Sequence, residues 1–366
     1  MSGETETLLE VKNLKVDYFA ANGNVHAVRD VSFTLKRGQI LGIAGESGCG
    51  KSTLAYAIAR LLREPASIEG GEVIYYPRLR LNSQLTEPLD VLKLNKEQLR
   101  KFRWNELAIV FQSAMNALNP VLDIGAQIMD VLREHRPDLG PDRRKQRAIE
   151  LLGLVGIASD RVRSYPHELS GGMRQRAMIA IALALNPEII IMDEPTTALD
   201  VVVQREILDL VRSICQEMGM ALIFITHDLS LLLEMADNIA IMYAGNIVEI
   251  GSYEDLHRRQ LHPYSYGLLH SFPSLHGPLR RAVGIPGTPP DLRQTFPGCA
   301  FQVRCPFALQ SCKTHVPALQ VSGVEHNASL VACHLYHRTQ VRAFVPSAED
   351  LARGYEVLAQ ERRIRS

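Results

Sequence analysis

Gly45-Glu46-Ser47-Gly48-Cys49-Gly50-Lys51-Ser52 stands between an apolar run, residues 39–44, and a helical one, residues 53–62. The glycines let the backbone turn so that consecutive N–H groups point inward at phosphate oxygens, and the following helix adds the positive end of its dipole. Lys51 is placed for the β- and γ-phosphates and the Ser52 hydroxyl for Mg²⁺. A chance glycine-rich turn does not bring a strand before it and a helix after it. The sequence therefore predicts a nucleoside-triphosphate site made by Gly45, Glu46, Ser47, Gly48, Cys49, Gly50, Lys51, Ser52 and Thr53 on an α/β fold.

Working outward, polar groups collect at the ends of apolar runs. Residues 107–111 read as a buried strand ending at Gln112, a side chain able to orient Mg²⁺ or a water. Leu169-Ser170-Gly171-Gly172-Met173-Arg174-Gln175 runs into a helical stretch, residues 177–185, and offers a hydroxyl and unhindered N–H groups to a second anion. A plain N-cap accounts for Ser170 but leaves the two glycines unexplained. Glu188-Ile189-Ile190-Ile191-Met192-Asp193-Glu194 has the near-continuous apolar character of a central parallel strand and closes with two carboxylates. Asp193 suits Mg²⁺ and Glu194 suits the polarising of an attacking water. Two carboxylates at a buried edge are costly without a cation. Residues 221–225 make another such strand, and His227 follows it as a γ-phosphate contact, since ligands collect at strand ends in open α/β sheets. Upstream, residues 8–17 and 25–35 alternate like strands, and Tyr18 is either a base-stacking aromatic or a strand-end core residue.

The 366 residues suffice for about two domains and a sizeable core. Forty Lys plus Arg balance forty Asp plus Glu, so no global field recruits nucleic acid or anionic lipid. Arg143-Arg144-Lys145-Gln146-Arg147 reads as a solvated helix face. No apolar run reaches bilayer length, and residues 1–7 lack a signal-peptide core, so a cytoplasmic protein is expected.

The ordered set, from Gly45–Ser52 through Gln112, Leu169–Gln175, Ile189–Glu194, Ala198–Asp200 and His227, resembles the nucleotide-binding domain of an ABC transporter over residues 8–260. The resemblance implies an ABC-type P-loop domain over residues 1–260 with a helical subdomain at about 113–180. It also implies head-to-tail pairing of two domains, with ATP between one phosphate loop and the other domain's Ser170, Gly171 and Gly172. In the implied roles Tyr18 stacks on adenine and Lys51 holds phosphates. Ser52, Gln112 and Asp193 serve Mg²⁺, Glu194 is the general base, His227 meets the γ-phosphate, and Asp200 communicates across the pair. A hydrolysis-competent ATPase is expected.

The tail narrows the resemblance. His262-Pro263-Tyr264, the run Ile285-Pro286-Gly287-Thr288-Pro289-Pro290-Asp291-Leu292, Gly298-Cys299-Ala300-Phe301 and Arg304-Cys305-Pro306 are similar to the tail of oligopeptide and dipeptide importer ATPases. That family implies pairing with a second ATPase, a homologue in a heterodimer or else a second copy of this chain, together with two membrane permeases and an extracytoplasmic solute-binding protein, at the cytoplasmic face of the membrane. The expected solute is a di- or oligopeptide. Importers of oligosaccharides or nickel complexes, and a soluble ABC ATPase of translation or DNA repair, are the alternatives. No second cassette and no long coiled-coil insertion accompanies the first.

Cys299, Cys305, Cys312 and Cys333 fall in an irregular, Pro-rich segment, residues 261–345, ahead of a helical tail at 346–366. Four thiols in a small C-terminal domain suit an iron–sulfur cluster, a structural Zn²⁺ or plain burial. The close Cys pairs usual for zinc ribbons are missing, and the family resemblance favours [4Fe–4S].

Overall fold

The computed structural model describes residues 6–78, 87–112, 117–197, 199–271, 284–324, 327–336 and 345–365. Its centre is a parallel sheet of β3 (Ile40–Ala44), β6 (Leu107–Val110), β7 (Ile189–Asp193), β8 (Ala221–Ile225) and β9 (Asn238–Tyr243) in the order β9-β3-β8-β7-β6. Every residue of β3, β7 and β8 is buried. Alternate residues serve opposite faces: Ile189 and Ile191 enter one core cluster while Ile190 and Met192 enter the other. A strand sandwiched this way must be apolar at both parities, which is why these runs carry no alternation.

One face meets a second, antiparallel sheet of β1 (Thr7–Tyr18), β2 (Val25–Lys36), β4 (Ala66–Tyr75) and the short β5 (Leu89–Asp90), ordered β2-β1-β4-β5. Helix α1 (Lys51–Ile58) contributes Leu54, Ala55, Ala57 and Ile58 to the core shared by the two sheets. It begins two residues earlier than the pattern predicts and stops sooner, with Arg60 in the left-handed region at φ 53°. From sequence Gly70-Gly71 reads as a break ahead of a strand at residues 72–76, but β4 starts earlier, at Ala66. It pairs with β1 from Tyr18↔Ala66 to Leu9↔Tyr75, and Gly70-Gly71 lies within it at a register shift rather than ahead of it. The segment 79–86 lies outside the described residues.

α2 (Lys96–Asn105), opened by a capping box on Asn95 and Gln98, leads into β6. Three helices follow, α3 (Ile124–His135), α4 (Pro141–Leu154) and α5 (Gly171–Ala182), with no strand among the described residues between them. Asp123 caps α3 and Ser170 caps α5, each accepting a backbone N–H three residues on. On the same side of the parallel sheet lie α6 (Val201–Met218) and α7 (Leu229–Met235), whose buried residues join those of α3–α5 in one core.

β10 (Asn246–Ser252) adds antiparallel to β9 and is followed by α8 (Tyr253–Arg258) and α9 (Pro263–Leu269). The tail then returns to this sheet. β12 (Leu330–Val331) pairs with β10, and β11 (Gln320–Val321) pairs with β12, making one eight-stranded sheet that crosses residue 260. α10 (Ala348–Arg365) packs against α9, where the Tyr355 hydroxyl donates to the Pro263 carbonyl at 2.8 Å. Among the described residues no helix is long and apolar enough to cross a membrane.

Candidate functional site

The phosphate loop joins β3 to α1 and is built by close backbone approach. Gly50, the N-cap of α1, has φ 106°, and a Cβ there would stand 2.1 Å from the Ala27 carbonyl oxygen. Only glycine fits both the backbone angle and the space. Lys51 is 6% exposed and turns back over the loop, donating to the carbonyls of Gly45 at 2.8 Å and Glu46 at 3.1 Å, with Cys49 Sγ at 3.8 Å. The ammonium is thus stored against carbonyls that a phosphate can replace. Burial pushes the Cys49 thiol up, making it a packed loop residue rather than a thiolate. Tyr18 ends β1, and its hydroxyl is 3.1 Å from Thr53 Oγ1 on α1, tying the proposed base-stacking position to the helix that carries Ser52 and Thr53.

Asp193 ends β7 fully buried, and neither carboxylate oxygen has a hydrogen-bond partner among the described residues. Burial and the neighbouring Glu194 raise its pKa, against the pull of the nearby Ser52 and Tyr56 hydroxyls and Lys51. An orphaned buried carboxylate facing a serine hydroxyl is the donor set that Mg²⁺ uses, so the residues fit that ion. Glu194 follows at φ 46°, a left-handed conformation uncommon for a non-glycine residue, as the chain turns off the strand. Its Oε2 accepts from Gln112 Nε2 at 3.1 Å and from Thr197 Oγ1 at 3.2 Å, and His227 Nδ1 lies 3.4 Å away. Three strands therefore deliver Gln112, Glu194 and His227 to one point.

Ser170 and Asp200 occupy other places. Ser170 accepts the Met173 N–H, and Asp200 accepts the N–H groups of Val202 and Val203, so each caps a helix. None of these contacts reaches the chain's own phosphate loop. Gly172 has a packing reason that a cap alone lacks: a Cβ there would lie 2.6 Å from Val203 Cγ1 of α6. Ala198 lies outside the described residues.

The four late cysteines are free thiols. They sit within electrostatic reach of one another: Cys333 feels Cys305, Cys299 and Cys312, and burial raises all four thiols. Cys299 N–H donates to the Cys312 carbonyl at 2.8 Å. Among the described residues no three His, Cys, Asp or Glu side chains are arranged to hold one metal ion, so neither the [4Fe–4S] nor the Zn²⁺ expectation finds a ready site.

Sequence reasoning missed the neighbours that fix the loop from outside. The Tyr264 hydroxyl accepts the Glu46 N–H at 2.9 Å, and Arg304 grips the Glu46 carboxylate at 2.7 and 2.8 Å. Tyr56, three residues beyond Thr53, sits beside Asp193, and Thr197 braces Glu194. Tyr264 and Arg304 stand in the tail motifs quoted above, but more than two hundred residues from the loop, so no local pattern could have signalled their contact with it.

This site defines a nucleotide-hydrolysing ATP-binding cassette. The family model of ABC transporters matches residues 28–197, and that of the oligopeptide/dipeptide transporter C-terminal region matches residues 248–312. A putative peptide import ATP-binding protein of Brucella abortus is 45% identical over 325 residues, covering 88% of this chain and 94% of the relative. The oligopeptide transport ATP-binding protein AppD of Bacillus subtilis is 40% identical over 332 residues, covering 90% and 97%. The dipeptide transport ATP-binding protein DppD of Lactococcus lactis is 44% identical over 306 residues, covering 83% and 84%. The dimeric cassette MJ0796, solved in a post-hydrolysis state with ADP and Pi, superposes with a TM-score of 0.57 at 28% identity, covering 67% of this chain and 99% of that one. The chain belongs to the ATP-binding subunits of ABC transporters, within the branch that carries the oligopeptide/dipeptide C-terminal region.

Proposed function

We propose that this ATPase powers uptake of di- or oligopeptides through a membrane importer. The observation that carries the reading is a hydrolytic centre joined, on one chain, to the C-terminal region of peptide-transporter ATPases: Glu194 among Gln112, Thr197 and His227, beside the orphaned Asp193. Glu194 is the general base, His227 the γ-phosphate contact and Lys51 the β/γ-phosphate cation. Gln112, Asp193 and Ser52 would hold Mg²⁺, which would supply charge neutralisation when bound. Tyr18 stacks on adenine, and Gly45, Glu46, Ser47, Gly48, Cys49, Gly50 and Thr53 form the phosphate cradle. Ser170, Gly171, Gly172 and Asp200 act across a dimer, a placement favoured by the helix-capping bonds that engage Ser170 and Asp200 away from their own phosphate loop and by the dimeric cassette relative.

The partner cassette is a second, homologous ATPase. Two permeases and an extracytoplasmic binding protein complete the importer, with this chain at the cytoplasmic face of the membrane. Cys299, Cys305, Cys312 and Cys333 would ligate a [4Fe–4S] cluster, which would staple the tail. Their chemistry suits it: four free thiols gathered in a segment with little regular structure, which a cluster would help to fold.

Affinity purification from gently solubilised native membranes tests the assembly. Two multi-spanning permeases and a second ATPase should be recovered, and peptide with the binding protein should stimulate ATP hydrolysis of the reconstituted complex. Recovery with ribosomes or repair proteins, or stimulation by an oligosaccharide or nickel complex instead of peptide, overturns the peptide reading.

A further inference from the structure

Arg304 lies in the tail, next to Cys305, yet its side chain is 4% exposed and reaches the phosphate loop. Both of its terminal nitrogens donate to Glu46, Nη1 to Oε2 at 2.7 Å and Nη2 to Oε1 at 2.8 Å, a bidentate pair. Nε donates to the Pro286 carbonyl at 3.1 Å, and Nη1 also reaches the Tyr243 hydroxyl at 3.3 Å. The guanidinium is thus aimed by two chain segments far from the loop, while Tyr264 takes the Glu46 N–H from a third. The Glu46 carbonyl, in turn, accepts from Lys51 and from the Cys49 N–H. Glu46 is therefore held at its backbone and side chain while its carbonyl helps store the phosphate-binding lysine.

A carboxylate inside a loop that receives a polyphosphate is an electrostatic liability. Left unpaired, it repels the ligand and competes for Lys51. We infer that Arg304 is a positioning residue of the nucleotide site: it neutralises Glu46 and turns that carboxylate away, so that the loop's N–H groups and Lys51 are left for the phosphates. The tail thereby tunes affinity for the nucleotide according to the ligand's negative charge. The inference rests on the nucleotide-site reading, and wild-type ATP binding is the control that tests that reading by itself.

The experiment measures binding of ATP, ADP and adenosine to the full chain by titration calorimetry. Arg304→Met should weaken ATP about ten-fold, ADP less, and adenosine not at all. Adding Glu46→Gln to that variant removes the unpaired charge and should bring ATP affinity back to within about three-fold of wild type. Arg304→Lys, which keeps the charge without the fork, should fall between. Uniform loss across the three ligands, no loss at all, or failure of Glu46→Gln to rescue overturns the inference, since a purely structural arginine predicts those results. Should Arg304→Met not fold, Glu46→Gln alone decides: ATP should tighten relative to adenosine, and equal weakening of both refutes the electrostatic role.

Discussion

Replacing Glu194 by glutamine isolates proton acceptance from everything else the side chain does. The amide is nearly isosteric, and its oxygen can still accept from Gln112 and Thr197, which approach Oε2 at 3.1 and 3.2 Å. The left-handed backbone at φ 46° treats the two residues alike. Stability should therefore change by less than about 1 kcal/mol. The charge change also relieves Asp193, whose pKa Glu194 helps to raise, so MgATP affinity should hold or tighten a few-fold. What disappears is the group proposed to accept a proton from the attacking water. General-base assistance is worth about 10²–10⁴ in rate, or about 3–5 kcal/mol of barrier. In the assembled transporter, steady-state phosphate release should fall at least a hundred-fold while ATP remains bound in a filter assay. Residual turnover above a tenth of wild type would show that Glu194 is not the base. Loss of ATP binding would show that the carboxylate serves the ground state.

Gly172→Ala forces a Cβ to 2.6 Å from Val203 Cγ1 and should cost about 1–3 kcal/mol in a urea melt, relieved by adding Val203→Ala; an unrelieved loss refutes the packing account. Anaerobically purified protein should be brown and carry iron and sulfide, and Cys333→Ser should lose both; a colourless, iron-free wild type sinks the cluster. His262 and Glu249 set opposing pH dependences. Burial lowers His262 from 6.5 to about 3, so the stability it contributes is present above pH 6.5 and is lost as pH falls toward 3. Burial raises Glu249 from 4.5 to about 7, so its contribution is present below pH 4.5 and is lost as pH rises through 7. Between pH 4.5 and 6.5 the two slopes cancel. His262→Asn, which keeps an acceptor for the Tyr264 N–H, should unmask Glu249 and gain about 3 kcal/mol over wild type on going from pH 7 to 4.5. Parallel stability curves for the two proteins would refute this.

Much of the proposed catalytic centre was legible because its parts are local. Gly50-Lys51-Ser52 dictates a turn and a helix start within a few residues, and the apolar runs of β7 and β8 announce their burial on both faces before Asp193, Glu194 and His227 appear at or beyond their ends. The parallel sheet then converts order along the chain into proximity, and Gln112, Glu194 and His227 meet because strand ends share one edge. Less legible was whatever depends on register or on distant chain. The extent of β4 is set by its pairing with β1, which overrides the break that Gly70-Gly71 signals locally. The small size of Gly172 answers to Val203 on α6 as well as to any anion.

The sequence by itself determined that this is a phosphate-binding α/β ATPase, because glycine conformations, strand burial and helix capping are nearest-neighbour physics. Only the tertiary structure decided what the tail does. β12 completes the sheet beside β10, and Arg304 crosses to Glu46 over 258 positions of chain, a contact encoded by packing and by charge complementarity between segments that no local pattern links.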